Sequence, residues 1–562
     1  MPVPFRRPVP FVVALVALTI AAGTPLGGPL GAQIRAGVPT AAPMTPAALR
    51  TRLEAYTADS MRGRLTGTPE HRTALDYIVR ELTAMGLEPA GENGTFLQRV
   101  PLATRSLDTT RSTITVAGEA LRPFADYLPR DNGGRPRSLD GAAVVYAGRW
   151  GTPTLLEGGA AVAGKTVVIG VTEENSSVVR LEAIRRFFPA AGIVIANFDL
   201  LDPQMIAQLS ATGMSLDAGE TEAGPELPAY LHLSRAHAAK LLGVTDLATA
   251  APGLTAAPIR GNFTFRNVPA ESWNVVAKLT GSDRARRGQY VAIGAHSDHV
   301  GVGEPVDRDS LRAFNLELRT KQLANKGEIT PEIFASIQVN MDSIRRLHPT
   351  PRLDSIFNGA DDDGSGSMGV LEVARAFATA RTKPKRSLLF VWHAGEELGL
   401  FGSEWYTDHP TVPRDSIVAN LNFDMIGRGG PGEEPGGGPN YAQLIGSRRL
   451  STQLGDLVEQ VSRERRYNWA FDYQYDVAGH PEQYYCRSDH YMYARYGIPI
   501  VFMSTGGHAD YHQVTDEVEF IDFAKLSKVT RYAHDLARAV ADLPTRPVVD
   551  KPKPDPRGQC VQ

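Results

Sequence analysis

The sequence predicts an α/β fold: a mostly parallel, helix-covered mixed sheet with a smaller β-rich domain inserted in it. Apolar runs bounded by glycines alternate with helical patterns in the second half of the chain, which is typical of such a sheet. A series of short strand patterns occupies the middle of the chain. The composition, 42% hydrophobic and 22% charged over 562 residues, is that of a globular protein with more than one core.

The N-terminal residues 1–32 have the pattern of a signal peptide. Arg6 and Arg7 precede an apolar run over residues 11–22, and a stretch of small residues follows. The run is about a dozen residues long, short of the ~20 needed to cross a bilayer, so a retained membrane anchor is the weaker alternative. We therefore expect an exported protein, periplasmic or extracellular, with no stable membrane span.

The mature chain is expected to open with the N-terminal part of the larger domain, residues 45–135, where apolar residues recur at helical spacing up to Gly86. A separate small domain is predicted over 136–268. Its expected strands are residues 143–147, 166–171, 192–196 and 229–233.

Residues 269–545 are predicted to complete the larger domain. Two segments interrupt its pattern: a loop rich in glycine and proline at 429–440, and a charged, partly helical insertion at 302–357 that we expect to form a lid or a dimer surface. The tail, 546–562, is expected to be flexible. Strands are predicted at residues 272–279, 290–295, 387–393 and 417–421, and helices at 368–379, 450–465 and 521–543.

The charge balance and the cysteine count exclude several classes of protein. With 59 basic and 62 acidic residues the net charge is −3, so nothing indicates binding to nucleic acid or to an anionic membrane. Two cysteines, Cys486 and Cys560, cannot form a disulfide framework. Whether they pair in an oxidising compartment is left open.

Residues able to do chemistry follow several of the predicted strands. Glu396 and Glu397 come directly after the strand 387–393, and neighbouring side chains there point in different directions, so one can bind a cation while the other handles a proton. His296 and Asp298 follow the strand 290–295. A solvated acidic turn and a hydrogen-bonded loop histidine are the alternatives for each pair taken alone.

Three more positions complete the set. Acidic residues 361–363 open a helix, which is costly unless cations or helix amides share the charge. Asp424 follows the strand 417–421, and His512 lies in a polar segment after another apolar run. The carboxyl ends of parallel strands meet in one crevice, and a set of histidines and carboxylates without thiolates fits a two-metal site built around a bridging carboxylate.

The order of these motifs resembles the di-zinc exopeptidases of clan MH, the group of the bacterial leucyl aminopeptidases and glutamate carboxypeptidases. The motifs are His-x-Asp at 296–298, Asp-Asp-x-Ser-Gly at 362–366, Glu-Glu-x-Gly at 396–399, Ser-Asp-His at 488–490 and Tyr-His-x-x-x-Asp at 511–516. The resemblance implies the zinc exopeptidase fold. The middle region is similar to a protease-associated insert.

The resemblance also implies roles for the residues. His296 and Asp424 would hold one zinc ion, Glu397 and His512 the other, and Asp362 would bridge the two, with Asp361 and Asp363 as the alternatives for the bridge. Glu396 would be the general base for a water activated by the two metals. Tyr485 or Tyr511 would stabilise the oxyanion, and Tyr485 is preferred. Asp298, Asp489 and Tyr511 would lie behind the ligands. His299, His393 and His508 match no ligand position, and each is expected either to lie behind the ligands or to be structural.

We therefore expect an exported zinc-dependent exopeptidase with two Zn²⁺ per chain, most consistent with an aminopeptidase that hydrolyses N-terminal residues from peptides. A carboxypeptidase, a dipeptidase or a glutaminyl cyclase could use the same metal site, and the same ligands accept cobalt or manganese. A non-catalytic, receptor-like binding protein is disfavoured because the ligands and Glu396 are all present. Peptides are the expected partners, nucleic acid is not, and a homodimer is left open.

Overall fold

The computed structural model describes residues 39–131, 135–150, 152, 155–171, 186–202, 205–206, 213–217, 226–558 and 560–562. The predicted signal peptide lies outside these residues. The described residues form two compact units, the first containing residues 39–100 and 271–562 and the second containing the described part of 101–270.

Helices and strands alternate along the first unit, and short strands dominate the second. The strands are β1 (Glu88–Pro89), β2 (Leu97–Leu107), β3 (Thr113–Val116), β4 (Glu119–Leu121), β5 (Tyr127–Arg130), β6 (Arg135–Pro136), β7 (Val144–Arg149), β8 (Thr166–Gly170), β9 (Gly192–Ala196), β10 (Met214–Leu216), β11 (Glu226–Leu227), β12 (Ala229–Leu233), β13 (Thr255–Ala256), β14 (Arg260–Asn262), β15 (Phe265–Leu279), β16 (Tyr290–His296), β17 (Gly301–Asp307), β18 (Leu353–Phe357), β19 (Ser387–His393), β20 (Ile417–Phe423), β21 (Tyr441–Ile445), β22 (Ala470–Asp472) and β23 (Ile500–Ser504). The helices are α1 (Pro46–Tyr56), α2 (Pro69–Ala84), α3 (Arg235–Leu242), α4 (Arg308–Ala324), α5 (Pro331–Ala335), α6 (Met341–Leu347), α7 (Gly366–Thr379), α8 (Phe401–Asp408), α9 (Thr452–Glu464), α10 (His490–Ala494) and α11 (Phe523–Asp542). Among the described residues, no helix combines the length and the hydrophobicity needed to span a bilayer.

The first unit is built on a mixed sheet in the order β2–β15–β19–β16–β20–β23–β21–β22. Strand β16 runs parallel to both β19 and β20, and β20 runs parallel to β23. The pairs β15–β19 and β21–β23 are antiparallel. The predicted α/β class, with a mostly parallel mixed sheet, is therefore confirmed.

Both faces of this sheet are covered, which explains why its strands are apolar throughout. Along β19, Leu388, Phe390 and Trp392 lie in one buried cluster, and Leu389 and Val391 lie in another. Successive side chains of a strand point to opposite faces, so each face has its own core.

Helix α11 covers one face because its apolar residues form a single stripe. They recur at intervals of three and four residues, the spacing of one side of an α-helix. The fully or almost fully buried members of the stripe are Leu526, Val529, Ala533, Leu536, Ala537 and Val540.

The second unit contains a sheet in the order β13–β7–β8–β9–β12–β5, in which β7, β8, β9 and β12 are parallel neighbours. The four strands predicted here are present as β7, β8, β9 and β12. The unit begins at residue 101, earlier than the predicted boundary at 136, because residues of β3, β4 and β5 belong to its buried cluster. The assignment of 136–268 to a protease-associated insert stays a prediction.

The insertion at 302–357 forms a hairpin around three helices. Gly301 in β17 pairs with Phe357 in β18, and the helices α4, α5 and α6 lie between the two strands along the chain. None of these three helices has a buried residue.

The tail at 546–562 corrects the prediction of a flexible segment. Cys560 forms a disulfide with Cys486, and the nearly buried Gln562 accepts the backbone N–H of Tyr485. Proline and lysine in the tail suggested an unanchored chain, but a covalent bond and a buried amide hold it in place.

Candidate metal centre

Polar side chains gather at the carboxyl ends of the central parallel strands. His296 is the last residue of β16, Glu396 and Glu397 follow β19, and Asp424 follows β20. Because β16 lies between β19 and β20 and runs parallel to both, these residues meet at one edge of the sheet. His512 reaches the same place from the segment after β23.

Asp362 does not follow a strand of the main sheet, contrary to the prediction. It lies in the helical turn Ala360–Ser365 after β18, and among the described strands β18 pairs with β17 rather than joining the main sheet. The argument from strand ends therefore accounts for four of the five predicted ligands but not for Asp362.

The carboxylate of Asp362 lies between two histidines. Its Oδ1 is 3.1 Å from Nε2 of His296 and its Oδ2 is 3.0 Å from Nε2 of His512. On the first side, Oδ1 of Asp424 lies 3.7 Å from Nε2 of His296; on the second, Oε2 of Glu397 lies 2.9 Å from Nε2 of His512. The five residues thus form two half-sites that share Asp362.

The other two acids of the triplet accept hydrogen bonds from other groups, although Asp363 also lies within 4.8 Å of His296 and Asp424. Asp361 has Oδ2 3.3 Å from Nε2 of His508 and accepts a backbone N–H with Oδ1. Asp363 accepts the backbone N–H of His296 and two further backbone N–H groups. Asp362 is therefore the member of the triplet whose two carboxylate oxygens face both histidines.

The donor set fits zinc. The Nε2 atoms of His296, His299 and His512 are buried and have no hydrogen-bond partner among the described residues. Imidazole nitrogens and carboxylate oxygens lie within 4.8 Å of one another in three overlapping groups here. Unpaired ring nitrogens that face carboxylates are what a zinc ion with nitrogen and oxygen ligands requires.

Two residues hold the predicted ligands from behind. Asp298 has Oδ1 3.7 Å from Nδ1 of His296 and accepts the backbone N–H of Glu396. Ser488 donates its hydroxyl to Oδ2 of Asp424 at 2.7 Å. Sequence reasoning singled out Asp298 but not Ser488, although Ser488 opens the Ser-Asp-His motif.

The neighbours Glu396 and Glu397 have different electrostatic environments. Burial raises the pKa of Glu396 well above its usual value, and the negative charge of Glu397 adds to this although His296 opposes it. Burial also acts on Glu397, but the charges of His512 and His299 outweigh it and bring its pKa to about 2. Two carboxyls with pKa values pushed apart can divide the tasks of proton carrier and ligand.

The structure favours Tyr511 over the preferred Tyr485 as the tyrosine of the site. The ring of Tyr511 stacks on His512 with centroids 4.0 Å apart, and its hydroxyl accepts a hydrogen bond from Arg487 at 3.3 Å. The ring of Tyr485 instead lies under the guanidinium of Arg449, 4.1 Å away. The preference for Tyr485 is corrected, because adjacency to the Ser-Asp-His motif in sequence does not bring its ring to the carboxylates.

His299, expected to lie behind the ligands or to be structural, belongs to the cluster. Its Nδ1 lies 2.7 Å from Oε1 of Glu397, and its ring meets that of His512 edge to face at 5.6 Å. A histidine that contacts Glu397, one of the predicted ligands, agrees with the first of the two expected roles.

The two other histidines orient acids near the site. His508 pairs with Asp361, as described, and Nδ1 of His393 lies 3.2 Å from Oδ2 of Asp489. Asp489 was expected behind a metal ligand, but its ion-pair partner is His393. Ser488 is therefore the residue of the Ser-Asp-His motif that contacts a predicted metal ligand, Asp424.

Part of the chain is similar in sequence to known peptidases. Residues 274–537 match the family model described as Peptidase family M28. Leupeptin-inactivating enzyme 1 of Streptomyces exfoliatus is 47% identical over 83 residues, which are 14% of this chain and 19% of that protein. Leucine aminopeptidase 2 of Trichophyton equinum is 26% identical over 318 residues, 51% of this chain and 49% of that protein. The chain thus spans about half, or less, of the length of these relatives.

Among solved structures, an aminopeptidase from Aneurinibacillus sp. strain AM-1 is similar with a TM-score of 0.45 and 17% identity, covering 91% of this chain and 97% of that one. A zinc aminopeptidase from Bacillus subtilis has a TM-score of 0.44 and 15% identity, covering 89% and 95%.

Proposed function

We propose that this protein, whose residues 274–537 match the family model described as Peptidase family M28, is a two-zinc exopeptidase, an aminopeptidase that removes N-terminal residues from peptides. One observation carries the proposal: the carboxylate of Asp362 lies 3.1 Å and 3.0 Å from the unpaired Nε2 atoms of His296 and His512. A shared carboxylate between two histidines suits two cations better than one.

His296 and Asp424 would hold one zinc ion, Glu397 and His512 the other, and Asp362 would contact both. Zinc at this place supplies Lewis acidity toward the substrate carbonyl and acidifies water. Asp298 and Ser488 keep the ligands oriented, because each contacts a ligand on its far side.

Glu396 would move the proton. Its side chain is only 10% exposed, and Oε2 lies 3.9 Å from Nε2 of His296, at the rim of the ligand set. A buried carboxylate with a raised pKa can accept a proton from the attacking water and deliver it to the leaving amine. The hydroxyl of Tyr511 would stabilise the negative charge that develops on the carbonyl oxygen.

The choice of the N-terminal end rests on the names of the relatives, several of which are leucine aminopeptidases. The test compares aminoacyl chromogenic substrates with N-blocked peptides that carry a free C-terminus. We expect hydrolysis of the first group only, and loss of hydrolysis on metal removal that zinc restores. Cleavage of the N-blocked peptides alone would refute the aminopeptidase.

A dipeptidase is the second candidate, and Arg487 favours it. Its guanidinium lies 3.3 Å from the hydroxyl of Tyr511 and 3.4 Å from Oε2 of Glu482, and its side chain is 40% exposed. The free carboxylate of a dipeptide would compete with the half-exposed Glu482 for this guanidinium. Rates of hydrolysis of dipeptides and of the matching dipeptide amides separate the two functions. An aminopeptidase cleaves both, whereas a dipeptidase cleaves the dipeptides but not their amides. Arg487→Gln should raise KM for dipeptides only in the second case.

We also propose that the protein is exported. The signal-peptide pattern of residues 1–32 and the disulfide between Cys486 and Cys560 support this, because disulfides persist in oxidising compartments. The test is cell fractionation with N-terminal sequencing of the native protein. We expect a mature chain that starts near Gln33; a full-length cytoplasmic chain would refute export.

A further inference from the structure

The insertion at 302–357 contacts the segment that carries His512. Two arginines of helix α4, Arg312 and Arg319, are seven residues apart, and this spacing places them on the same face of the helix, two turns apart. Both side chains reach the segment 507–510, which leads directly to His512.

Arg319 and Glu434 together bind both polar backbone groups of Gly507. Arg319 donates to the carbonyl oxygen of Gly507 at 3.2 Å and to Oε1 of Glu434 at 2.9 Å. The same Oε1 accepts the N–H of Gly507 at 2.7 Å. Arg319 also donates from Nε to the carbonyl oxygen of Glu433 at 2.9 Å. Gly507, the first residue of the segment that leads to His512, is thereby held at both its N–H and its carbonyl oxygen.

Arg312 fixes a second point, closer to the ligand. Its Nε donates to Oδ1 of Asp510 at 3.1 Å, and its guanidinium lies 3.6 Å above the ring of Phe520. Asp510 is fully buried, also pairs with Arg428, and precedes His512 by two residues. A buried carboxylate held by two arginines leaves the segment little freedom.

His512 needs such support because of its own backbone conformation. Its φ angle is +55°, in the left-handed region that non-glycine residues rarely adopt. A residue held in that region is strained and persists there only when its surroundings determine its conformation. A segment released from its anchors would relax toward ordinary angles and carry the imidazole away from Asp362 and Glu397.

We propose that Arg312 and Arg319 are positioning residues: from the insertion helix they hold the segment 507–512 so that His512 stays aimed at the half-site it forms with Glu397. This inference rests on the proposed function. It gives the insertion a role in metal affinity in addition to the lid or dimer surface expected from its sequence.

The test uses the full-length mature protein with Arg312→Ala, Arg319→Ala and the conservative Arg312→Lys and Arg319→Lys. Lys321→Ala is the matched control, because Lys321 is a cation of the same helix whose ion pair, at 3.4 Å, is with Glu317 of that helix. The measurement is titration of zinc into the metal-free protein. We expect one of two sites to weaken by about tenfold in the alanine variants, as is usual for residues behind a ligand.

A second readout does not depend on metal. Amide hydrogen exchange of the segment 507–512 in the metal-free protein should be faster in the alanine variants than in the wild type and in Lys321→Ala. The lysine variants should lie between, because they keep the charge but lose the forked contacts. They also keep the test valid if an alanine variant does not fold.

The outcomes separate the two proposals. Wild-type protein that binds fewer than two zinc ions would overturn the proposed function and this inference with it. Wild-type protein that binds two, with unchanged affinities and unchanged exchange in the arginine variants, would overturn this inference alone. Weakening of both sites together with general loss of structure in the lysine variants would also overturn it, because the arginines would then be only structural.

Discussion

Glu396 and Glu397 are adjacent in the chain and chemically identical, yet their surroundings give them different properties. Glu397 lies 2.7 Å from His299 and 2.9 Å from His512, whereas Glu396 has its nearest histidine nitrogen, Nε2 of His296, at 3.9 Å. Positive charge beside a carboxyl favours its ionised form, and burial without such a partner favours the protonated form. Glu397 is therefore suited to bind a metal ion, and Glu396 is suited to carry a proton.

Glu396→Gln should therefore reduce turnover by at least ~100-fold while two zinc ions stay bound, because the amide keeps the shape but cannot accept a proton. Glu397→Gln is the matched variant and should lower the zinc content instead. Kinetics together with metal analysis by mass spectrometry check both. A Glu396→Gln enzyme with near-normal turnover and two zinc ions would mean that the two roles are reversed or that the base lies elsewhere.

The two candidate tyrosines can be separated by paired variants. Tyr511→Phe should lower kcat by roughly 100-fold, the loss typical of one oxyanion donor, with little change in KM. Tyr485→Phe is the control, because its ring lies against Arg449 rather than at the carboxylates. Equal losses of kcat in both variants, or a loss confined to Tyr485→Phe, would contradict the assignment.

A buried histidine of the second unit gives a pH-dependent stability. Burial lowers the pKa of His232 from its usual 6.5 to about 3, and its Nδ1 lies 2.7 Å from Oδ1 of Asn197. The unfolded chain takes up a proton below pH 6.5 and the folded chain does not. The stabilisation is thus complete above pH 6.5 and is lost as the pH falls from 6.5 toward 3.

Between about pH 7 and about pH 4, the second unit should lose on the order of 3 kcal/mol more stability in the wild type than in His232→Gln, which cannot titrate. Urea unfolding followed by hydrogen exchange of β9 and β12 measures the difference. Parallel pH profiles for the two proteins would refute a neutral buried His232.

At the scale of elements, one buried charge network ties three helices of the first unit together. Arg52 of α1 has Nε 2.5 Å from Oε1 of Glu372 in α7 and Nη1 2.9 Å from Oε2 of Glu81 in α2. All three side chains are almost completely buried. The network explains how polar residues can stand among the apolar residues of these helices.

Arg52→Ala should destabilise the first unit by about 2–3 kcal/mol, because it removes the buried guanidinium that Glu81 and Glu372 share and leaves them only the more exposed Arg80 and Arg375. Arg463→Ala on α9 is the control: that arginine is 69% exposed and its pair with Glu459 at 3.5 Å should contribute less than about 1 kcal/mol. Thermal unfolding monitored by circular dichroism compares the two. Similar midpoints for both variants would show that the buried network contributes no more than a surface pair.

At the scale of the whole molecule, the two units should respond differently to metal. All the ligands that we propose belong to the first unit, at the ends of its central strands and in the segments 360–365 and 505–512. A ligand that binds only the folded state stabilises that state by an amount that grows with the logarithm of the ratio of its free concentration to its dissociation constant.

Removal of zinc by a chelator should therefore lower the stability of the first unit, by about 2.7 kcal/mol if free zinc was present at a hundred times its dissociation constant. The second unit should be unchanged. Differential scanning calorimetry with and without chelator checks this, with hydrogen exchange of β8 and β9 reporting on the second unit. An equal shift in both units would argue against a metal site confined to the first.

The sequence by itself determined the α/β class, the alternation of strands and helices, and the chemistry of the candidate site. These are local properties: apolar periodicity sets the elements, and residues such as His296 and Asp424 follow directly from where a strand ends. Seven of the eight predicted strands lie within two residues of their expected bounds, and the eighth, β15, begins at Phe265, seven residues before the expected start at 272.

Only the tertiary structure decided which of several similar neighbours faces the site. Asp361, Asp362 and Asp363 differ in the remote groups they meet, so the choice of Asp362 follows from contacts with His296 and His512, 66 and 150 positions away in the chain. The same holds for Tyr511 over Tyr485, for the anchored tail, and for the arginines of α4, because a side chain's partner across the fold leaves no periodic signal in the sequence.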